Sequence, residues 1–281
     1  VINETVWSFC IPQMIKFGEG AIGEIGYEIK NLRCEKVLLV TDPGIVKAGI
    51  CEKVEKIIRD SQIEVNVWDK VEPEPSIEVF KECYKWAKDK GFGVVVGVGG
   101  GSSMDVAKVT RMLLKYGGEV EDYIAPPTGK GEKYPGRGVP MIAVPTTSGT
   151  GSEVSPAAVL SLPDKKLKVG ISDNYQRPEI AIVDPLLTVG MPPGVTAASG
   201  MDALSHAIEA YTTKRYDRKP KPSDPSKRAI YNGTNSLTDI CAVEAIRLVG
   251  KFLRRAVNNG YDIEARRGMS LASLLAGISF T

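Results

Sequence analysis

Short, unbroken apolar runs alternate with stretches of helical period over the first two thirds of the chain. Lys36-Val-Leu-Leu-Val-Thr41, Ile63–Trp68, Val94–Val98 and Met141–Pro145 carry no polar alternation, the pattern of strands covered on both faces. Between them, apolar spacing predicts helices near 22–30, 45–60, 76–90 and 102–115, with Ser76 as an N-cap. Shorter strand signals follow at 157–161, 166–171 and 180–183, and one or two more precede residue 20. Strands and helices in this alternation predict a parallel, doubly wound sheet. Past Met191-Pro-Pro193 the strand signals stop, and helical patterns occupy about 195–213, 236–258 and 262–278. The expected organisation is an α/β domain over 1–190 and an all-helical domain over 191–281.

With 281 residues the chain is long enough for two domains. A net charge of +2 and a pI near 8.2 give no argument for nucleic acid or an anionic membrane as partner. No apolar run is long enough to span a bilayer, and no signal-peptide pattern opens the sequence, so a cytoplasmic protein is expected. Cys10, Cys34, Cys51, Cys83 and Cys241 are odd in number and lack a C-x-x-C pair, which fits a reducing compartment. His206 is the only histidine. A site that needs two imidazoles cannot be built from this sequence.

Candidate chemistry gathers in a few stretches. In Val94-Val-Val-Gly-Val-Gly-Gly-Gly-Ser-Ser-Met-Asp-Val-Ala-Lys108 a strand turns through Gly99, Gly100 and Gly101 into a helix that Ser102 is expected to cap. Backbone free of Cβ atoms, followed by open N–H groups, suits a bound anion. A glycine-rich turn of purely structural purpose has the same pattern. Open α/β sheets bind ligands beyond the carboxyl ends of their strands. Asp42 follows one such strand, placed to accept ribose hydroxyls or simply to form a turn before Pro43. As a ribose ligand its charge would repel a 2′-phosphate and favour NAD over NADP. Thr146-Thr-Ser-Gly-Thr150 offers hydroxyls and close N–H groups for phosphate or ribose oxygens, or is a polar turn. Asp202 and His206, four apart, share a helix face. Together they suit a divalent metal; separately, a helix-stabilising acid and a core imidazole. The stretch 214–232 is rich in Lys, Arg, Pro and Ser and reads as a solvated loop, with Lys214, Arg215, Arg218 and Lys219 able to attract carboxylates.

These stretches taken jointly resemble the iron-containing (group III) alcohol dehydrogenase family. The matching motifs are Gly99-Gly-Gly-Ser-Ser-Met-Asp-Val-Ala-Lys108, Pro145-Thr-Thr-Ser-Gly-Thr-Gly-Ser-Glu153, Asp184-Pro185, Met191-Pro-Pro193 and Gly200-Met-Asp-Ala-Leu-Ser-His-Ala-Ile-Glu-Ala-Tyr211. Trp7-Ser-Phe9, Pro222-Ser-Asp-Pro225, the segment Ala229–Ile240 and Arg254-Arg-Ala-Val-Asn258 resemble the hydroxyacid-oxoacid transhydrogenase branch.

The resemblance implies a dehydroquinate synthase-like scaffold, with a Rossmann-like domain, a helical domain and an active site in the cleft between them. Gly99, Gly100, Gly101 and Ser102 would face the pyrophosphate, with Asp105 in the same cofactor set. Asp42 would meet the adenosine ribose, Thr146, Thr147 and Thr150 would line the cofactor, and Lys168 would approach the nicotinamide-side ribose. Asp202 and His206 match the first two ligands of iron(II), zinc or another divalent ion. A homodimer acting on a small alcohol, aldehyde or hydroxyacid is implied. The family draws two more histidine ligands from beyond a segment like Leu275-Ala-Gly-Ile-Ser-Phe280, whereas this sequence stops at Thr281. A C-terminally truncated chain with an incomplete metal site is therefore expected. Two other classes compete: a dehydroquinate synthase-like lyase and a non-catalytic nucleotide-binding remnant. The spacing Asp202-Ala-Leu-Ser-His206 and the 145–150 run fit the dehydrogenase pattern better than the first.

Overall fold

The structure is a computed structural model describing residues 2–281. The elements run β1 (Met14–Phe17), α1 (Ile25–Asn31), β2 (Lys36–Val40), α2 (Pro43–Lys47), α3 (Ile50–Asp60), β3 (Glu64–Trp68), α4 (Ile77–Ala87), β4 (Val94–Gly99), α5 (Gly101–Tyr116), α6 (Val120–Tyr123), β5 (Met141–Pro145), β6 (Ala157–Leu162), β7 (Leu167–Ser172), β8 (Ile180–Val183), α7 (Pro193–Thr212), α8 (Ser236–Asn258) and α9 (Ile263–Ser279).

Six strands form one parallel sheet in the order β1-β8-β5-β4-β2-β3. Its apolar runs are covered on both faces, as unalternated strands require. Val37, Leu39 and Val96 pack with Ile25 and Ile29 of α1 and Val54 and Ile58 of α3. Leu38, Val40 and Val95 point the other way, towards Phe80 and Cys83 of α4 and Met104 and Met112 of α5. The helix expected over 45–60 is two helices, because Gly49 adopts a left-handed φ of 74° between them. β6 and β7 leave the sheet and form an antiparallel hairpin. Its Ala158 and Leu160 join the core on the α4/α5 side, so α5 lies beneath the hairpin as well as on the sheet.

That position buries every residue of α5 from Ser103 to Leu113, charged ones included. The Lys108 ammonium donates to the Ala157 carbonyl at 2.7 Å, and the Asp105 carboxylate accepts from the Val159 amide at 2.9 Å, tying the hairpin to the helix. Arg111, fully buried, reaches the Glu179 carboxylate at 2.5 Å and the Val139 carbonyl at 2.9 Å, and also bonds the carbonyls of Tyr175 and Arg177. Glu179 in turn accepts from the Met141 amide at 2.8 Å, at the start of β5.

The helical part packs through small residues. Thr196, Gly200, Ala203, Ala207 and Ala210 form the buried stripe of α7. A Cβ on Gly200 would lie 2.3 Å from a Leu253 methyl, and one on Gly268 would lie 2.1 Å from the Phe252 ring, so both helices approach as only glycine permits. Buried Arg266 anchors α9 by donating to the Thr196 hydroxyl and to the carbonyls of Val189, Met191 and Gly260.

The single cut expected at 190 is not how the residues cluster. One compact unit comprises Pro12–Thr146 and Pro156–Leu187; the other comprises the residues up to Ile11, Thr147–Ser155 and Thr188–Thr281. Two sets of contacts recruit these segments to the helices. Glu4 pairs with Arg228 at 3.0 Å and Asn3 bridges Pro220. A Cβ on Gly149 would strike Ser199, and one on Gly151 would lie 2.5 Å from the Cα of Gly277. All five cysteines are free.

Replacing Glu179 with Ala strands a buried guanidinium and should cost about 3–5 kcal/mol in urea unfolding. Arg137→Ala, which removes the exposed partner of the same carboxylate, should cost about 1 kcal/mol or less.

Candidate functional site

The sheet order fixes where a ligand can sit on the α/β unit. The chain steps from β2 outward to β3, then returns past β2 to β4 and continues through β5 to β8. The direction reverses between β2 and β4, and the crevice at such a reversal is the ligand site of open α/β sheets. Asp42 follows β2 and the glycine turn ends β4, so the two stretches singled out from sequence meet at this point.

Asp42 caps α2, its carboxylate accepting from the Ile45 amide at 3.0 Å. Its second oxygen accepts from the Ser103 hydroxyl at 3.0 Å and so joins the end of β2 to the first turn of α5. Gly99 has φ 150°, and a Cβ there would lie 2.5 Å from the Ser103 oxygen and 3.1 Å from Asp42. The turn is thus closed by Ser103, a residue that no local pattern singles out. The expected cap is corrected: α5 starts at Gly101, and Gly100 is its N-cap, with no side-chain bond. Ser102 lies inside the first turn, half-buried, and the N–H groups there have no side-chain cap competing for them. Thr146, at the end of β5, donates its amide to the Gly99 carbonyl at 2.9 Å, which brings it beside the turn. Its hydroxyl is buried without a hydrogen-bond partner, as is that of Thr41 at the end of β2.

The other expected cofactor residues are placed differently. Asp105 is engaged by the Val159 amide and by Lys108 at 3.4 Å, as a strut between α5 and the hairpin. Lys168 lies exposed on β7, where its ammonium pairs with Glu74 at 2.7 Å. Thr147 and Thr150 belong to the helical unit; the Thr150 hydroxyl accepts from the Ser152 amide at 3.2 Å.

On α7, Asp202 and His206 share a face as their spacing predicts, with imidazole Nε2 3.6 Å from a carboxylate oxygen. The other ring nitrogen, Nδ1, is buried and unpartnered. The Phe280 ring meets the imidazole edge-on, centroids 4.9 Å apart. His206 opens on a cavity of about 380 Å³ lined also by Glu209, Ala210, Thr213, Tyr231 and Phe280. Tyr231 donates to the Ala210 carbonyl at 3.2 Å, and burial pushes its phenol up to about 12. Sequence reading missed this wall, because Tyr231 and Thr213 flank a loop without apolar period and only three-dimensional closure brings them to α7.

As a donor set, Asp202 and His206 fit two positions of a divalent site. Among the described residues no third His, Cys, Asp or Glu completes a group with them. No described helix is long and apolar enough to cross a membrane.

Residues 12–185 match the family described as Iron-containing alcohol dehydrogenase, and residues 230–281 match Fe-containing alcohol dehydrogenase family, C-terminal. The hydroxyacid-oxoacid transhydrogenase, mitochondrial, of Caenorhabditis elegans is 39% identical over 268 residues, 95% of this chain and 58% of that protein. The Homo sapiens protein of the same name is 40% identical over 268 residues, 95% of this chain and 57% of its own. The chain therefore spans just under three fifths of the length of these curated relatives. Among solved structures, a 1,3-propanediol oxidoreductase is 35% identical with a TM-score of 0.85, covering 98% of this chain and 66% of that one. A sulfoacetaldehyde reductase from Bifidobacterium kashiwanohense, in complex with NAD+, is 32% identical with a TM-score of 0.85, covering 99% and 68%.

Asp42→Asn keeps a good helix cap but removes the charge. For a dinucleotide seated at this reversal, fluorescence titration should show NAD affinity falling and preference moving towards NADP by tenfold or more, with the melting temperature nearly unchanged.

Proposed function

We propose, for a chain that belongs to the iron-containing alcohol dehydrogenase family, that it serves hydride transfer between a nicotinamide and a small alcohol, aldehyde or hydroxyacid. The observation that carries this reading is the sheet reversal, where Asp42, the Gly99 turn and the unpartnered Thr146 hydroxyl converge. In this role the amides at the start of α5 hold the dinucleotide's diphosphate, and close approach depends on the missing Cβ at Gly99, Gly100 and Gly101. Asp42 accepts from the adenosine ribose hydroxyls, and its charge selects NAD over NADP. Thr146 supplies a hydroxyl to the cofactor. Thr147, Thr150, Lys168, Ser102 and Asp105 remain in the cofactor set by family resemblance; for Lys168 and Asp105 this requires them to exchange their present partners.

Asp202 and His206 would supply two of the ligands of iron(II) or another divalent ion, which when bound acts as a Lewis acid on the substrate oxygen. The imidazole Nε2 and the Asp202 carboxylate face each other at 3.6 Å, and the Phe280 edge and Tyr231 border the partly exposed ring. The hydride itself moves between the carbinol carbon and nicotinamide C4, and that chemistry belongs to the cofactor.

The finer reading is a hydroxyacid-oxoacid transhydrogenase. The named relatives at about 40% identity over 268 residues support it, as do the 222–240 and 254–258 segments. A hydroxyacid then gives hydride to bound nicotinamide and its hydroxyl proton to solvent; an oxoacid takes the hydride at its carbonyl carbon and a proton at oxygen. The relatives' names place them in mitochondria, and that compartment is part of this reading in place of the cytoplasm. Assembly as a homodimer belongs to it as well.

The test uses the full-length protein with 4-hydroxybutyrate and 2-oxoglutarate. Oxidation that requires the oxoacid and releases no free NADH is the expected result; steady NADH release with simple alcohols would leave the dehydrogenase reading alone. Gly99→Ala should lower nucleotide affinity at least tenfold, and His206→Ala should lower bound metal together with turnover. Full turnover by both variants would end the proposal.

A further inference from the structure

We propose that Lys219, with the Thr213 hydroxyl, recognises the carboxylate of the substrate in the His206 cavity. The proposal rests on the hydroxyacid reading and deepens it. The cavity, about 380 Å³, has room for a short-chain hydroxyacid, and its lining includes the acidic Glu209 and neither Lys nor Arg. A carboxylate entering there needs a cation nearby.

The 214–232 loop brings four candidates, and the structure sorts them. Arg215 is committed to Asp217 at 3.1 Å, and Lys214 and Arg218 are exposed. Lys219 is half-buried, and its ammonium stands 5.9 Å from the centroid of the Tyr231 ring, the ring that walls the cavity. Among the described residues it has no carboxylate within ion-pair distance. Its backbone is fixed: the amide donates to the Tyr216 carbonyl at 3.1 Å, and the carbonyl accepts from the Glu4 amide at 2.9 Å. Glu4, 2% exposed, also grips Arg228 from the same loop at 3.0 Å. The N-terminal segment thus straps the loop and fixes the backbone of Lys219 near Tyr231.

Tyr231 cannot itself donate to a ligand, since its hydroxyl proton is spent on Ala210. Thr213, half-buried at the end of α7 and lining the cavity, supplies the hydrogen-bond donor. Thr213 in the cavity lining and an ammonium on a flexible stem just beyond the Tyr231 ring can together meet a carboxylate.

The test compares wild type, Lys219→Met, Lys219→Glu, Lys219→Arg and Thr213→Val in the full-length protein. Turnover is measured with 4-hydroxybutyrate and with 1-butanol. Binding of butyrate and of butyramide is measured by calorimetry, which needs no turnover. Lys219→Met should raise KM for the hydroxyacid tenfold or more, leave 1-butanol within twofold and weaken butyrate but not butyramide. Lys219→Glu should go further, and Lys219→Arg should restore most of the loss. Equal losses for acid and alcohol, or none, would overturn the assignment, as would 1-butanol turnover by a wild type that binds no butyrate; hydride transfer would survive that last result. Lys219-dependent butyrate binding without any turnover would support the carboxylate site and sink the hydride reading.

Discussion

α5 is the element on which the sheet unit depends, because it is buried on every side and still carries charge. Burial shuts Asp105, Lys108 and Arg111 off from bulk solvent, so each must find its partner in the protein. Those partners are backbone groups of the hairpin and of the segments that start β5 and β8. The charges therefore act as position pins. With the guanidinium of Arg111 held by Glu179 and three carbonyls, the helix can neither slide nor rotate, and the place of its first turn is set. The glycine turn is rigid for a reason located three helical turns away.

That rigidity gives the sheet reversal its chemical character. A phosphate held by amides gains most when the amides need no rearrangement to meet it. Gly99 reaches its unusual φ because nothing larger fits beside Ser103, and Ser103 is oriented by Asp42. The acid at the end of β2 and the helix start after β4 are one hydrogen-bonded unit before any ligand arrives. Asp42 also faces a conflict: it caps α2 while it bonds Ser103, and ribose hydroxyls would share its remaining lone pairs.

The strands and the sheet class were legible in the sequence, because runs such as Val94–Val98 admit one environment only. Asp42, the glycine turn and the Asp202–His206 face were legible too, because each lies within one or two neighbouring elements. What escaped depends on distant closure. Ser102 looked like a cap because serine is a good one, yet Gly100 is in extended conformation one step earlier and the helix begins there. Nothing local shows that 157–172 leaves the sheet; the buried Asp105 and Lys108 that hold it are read only from the far side of α5. The N-terminal segment has short, irregular signals, and its allegiance to the helical unit is carried by Glu4, an acid that sequence statistics place in solvent.

The helical unit shows how a helix divides structural from chemical work. α7 gives its alanine and glycine stripe to α8 and α9, where small residues let backbones approach. This leaves Asp202, His206 and Glu209 on the less buried side, where His206 still packs against Phe280. An imidazole buried at Nδ1 without a partner costs stability in a purely structural role, since an unmet buried polar atom forfeits its hydration. A core histidine would have been satisfied locally, as Arg266 is by four oxygen acceptors in the same unit. Within one helical unit, then, a buried guanidinium is fully matched by acceptors while a buried imidazole nitrogen is left unmatched.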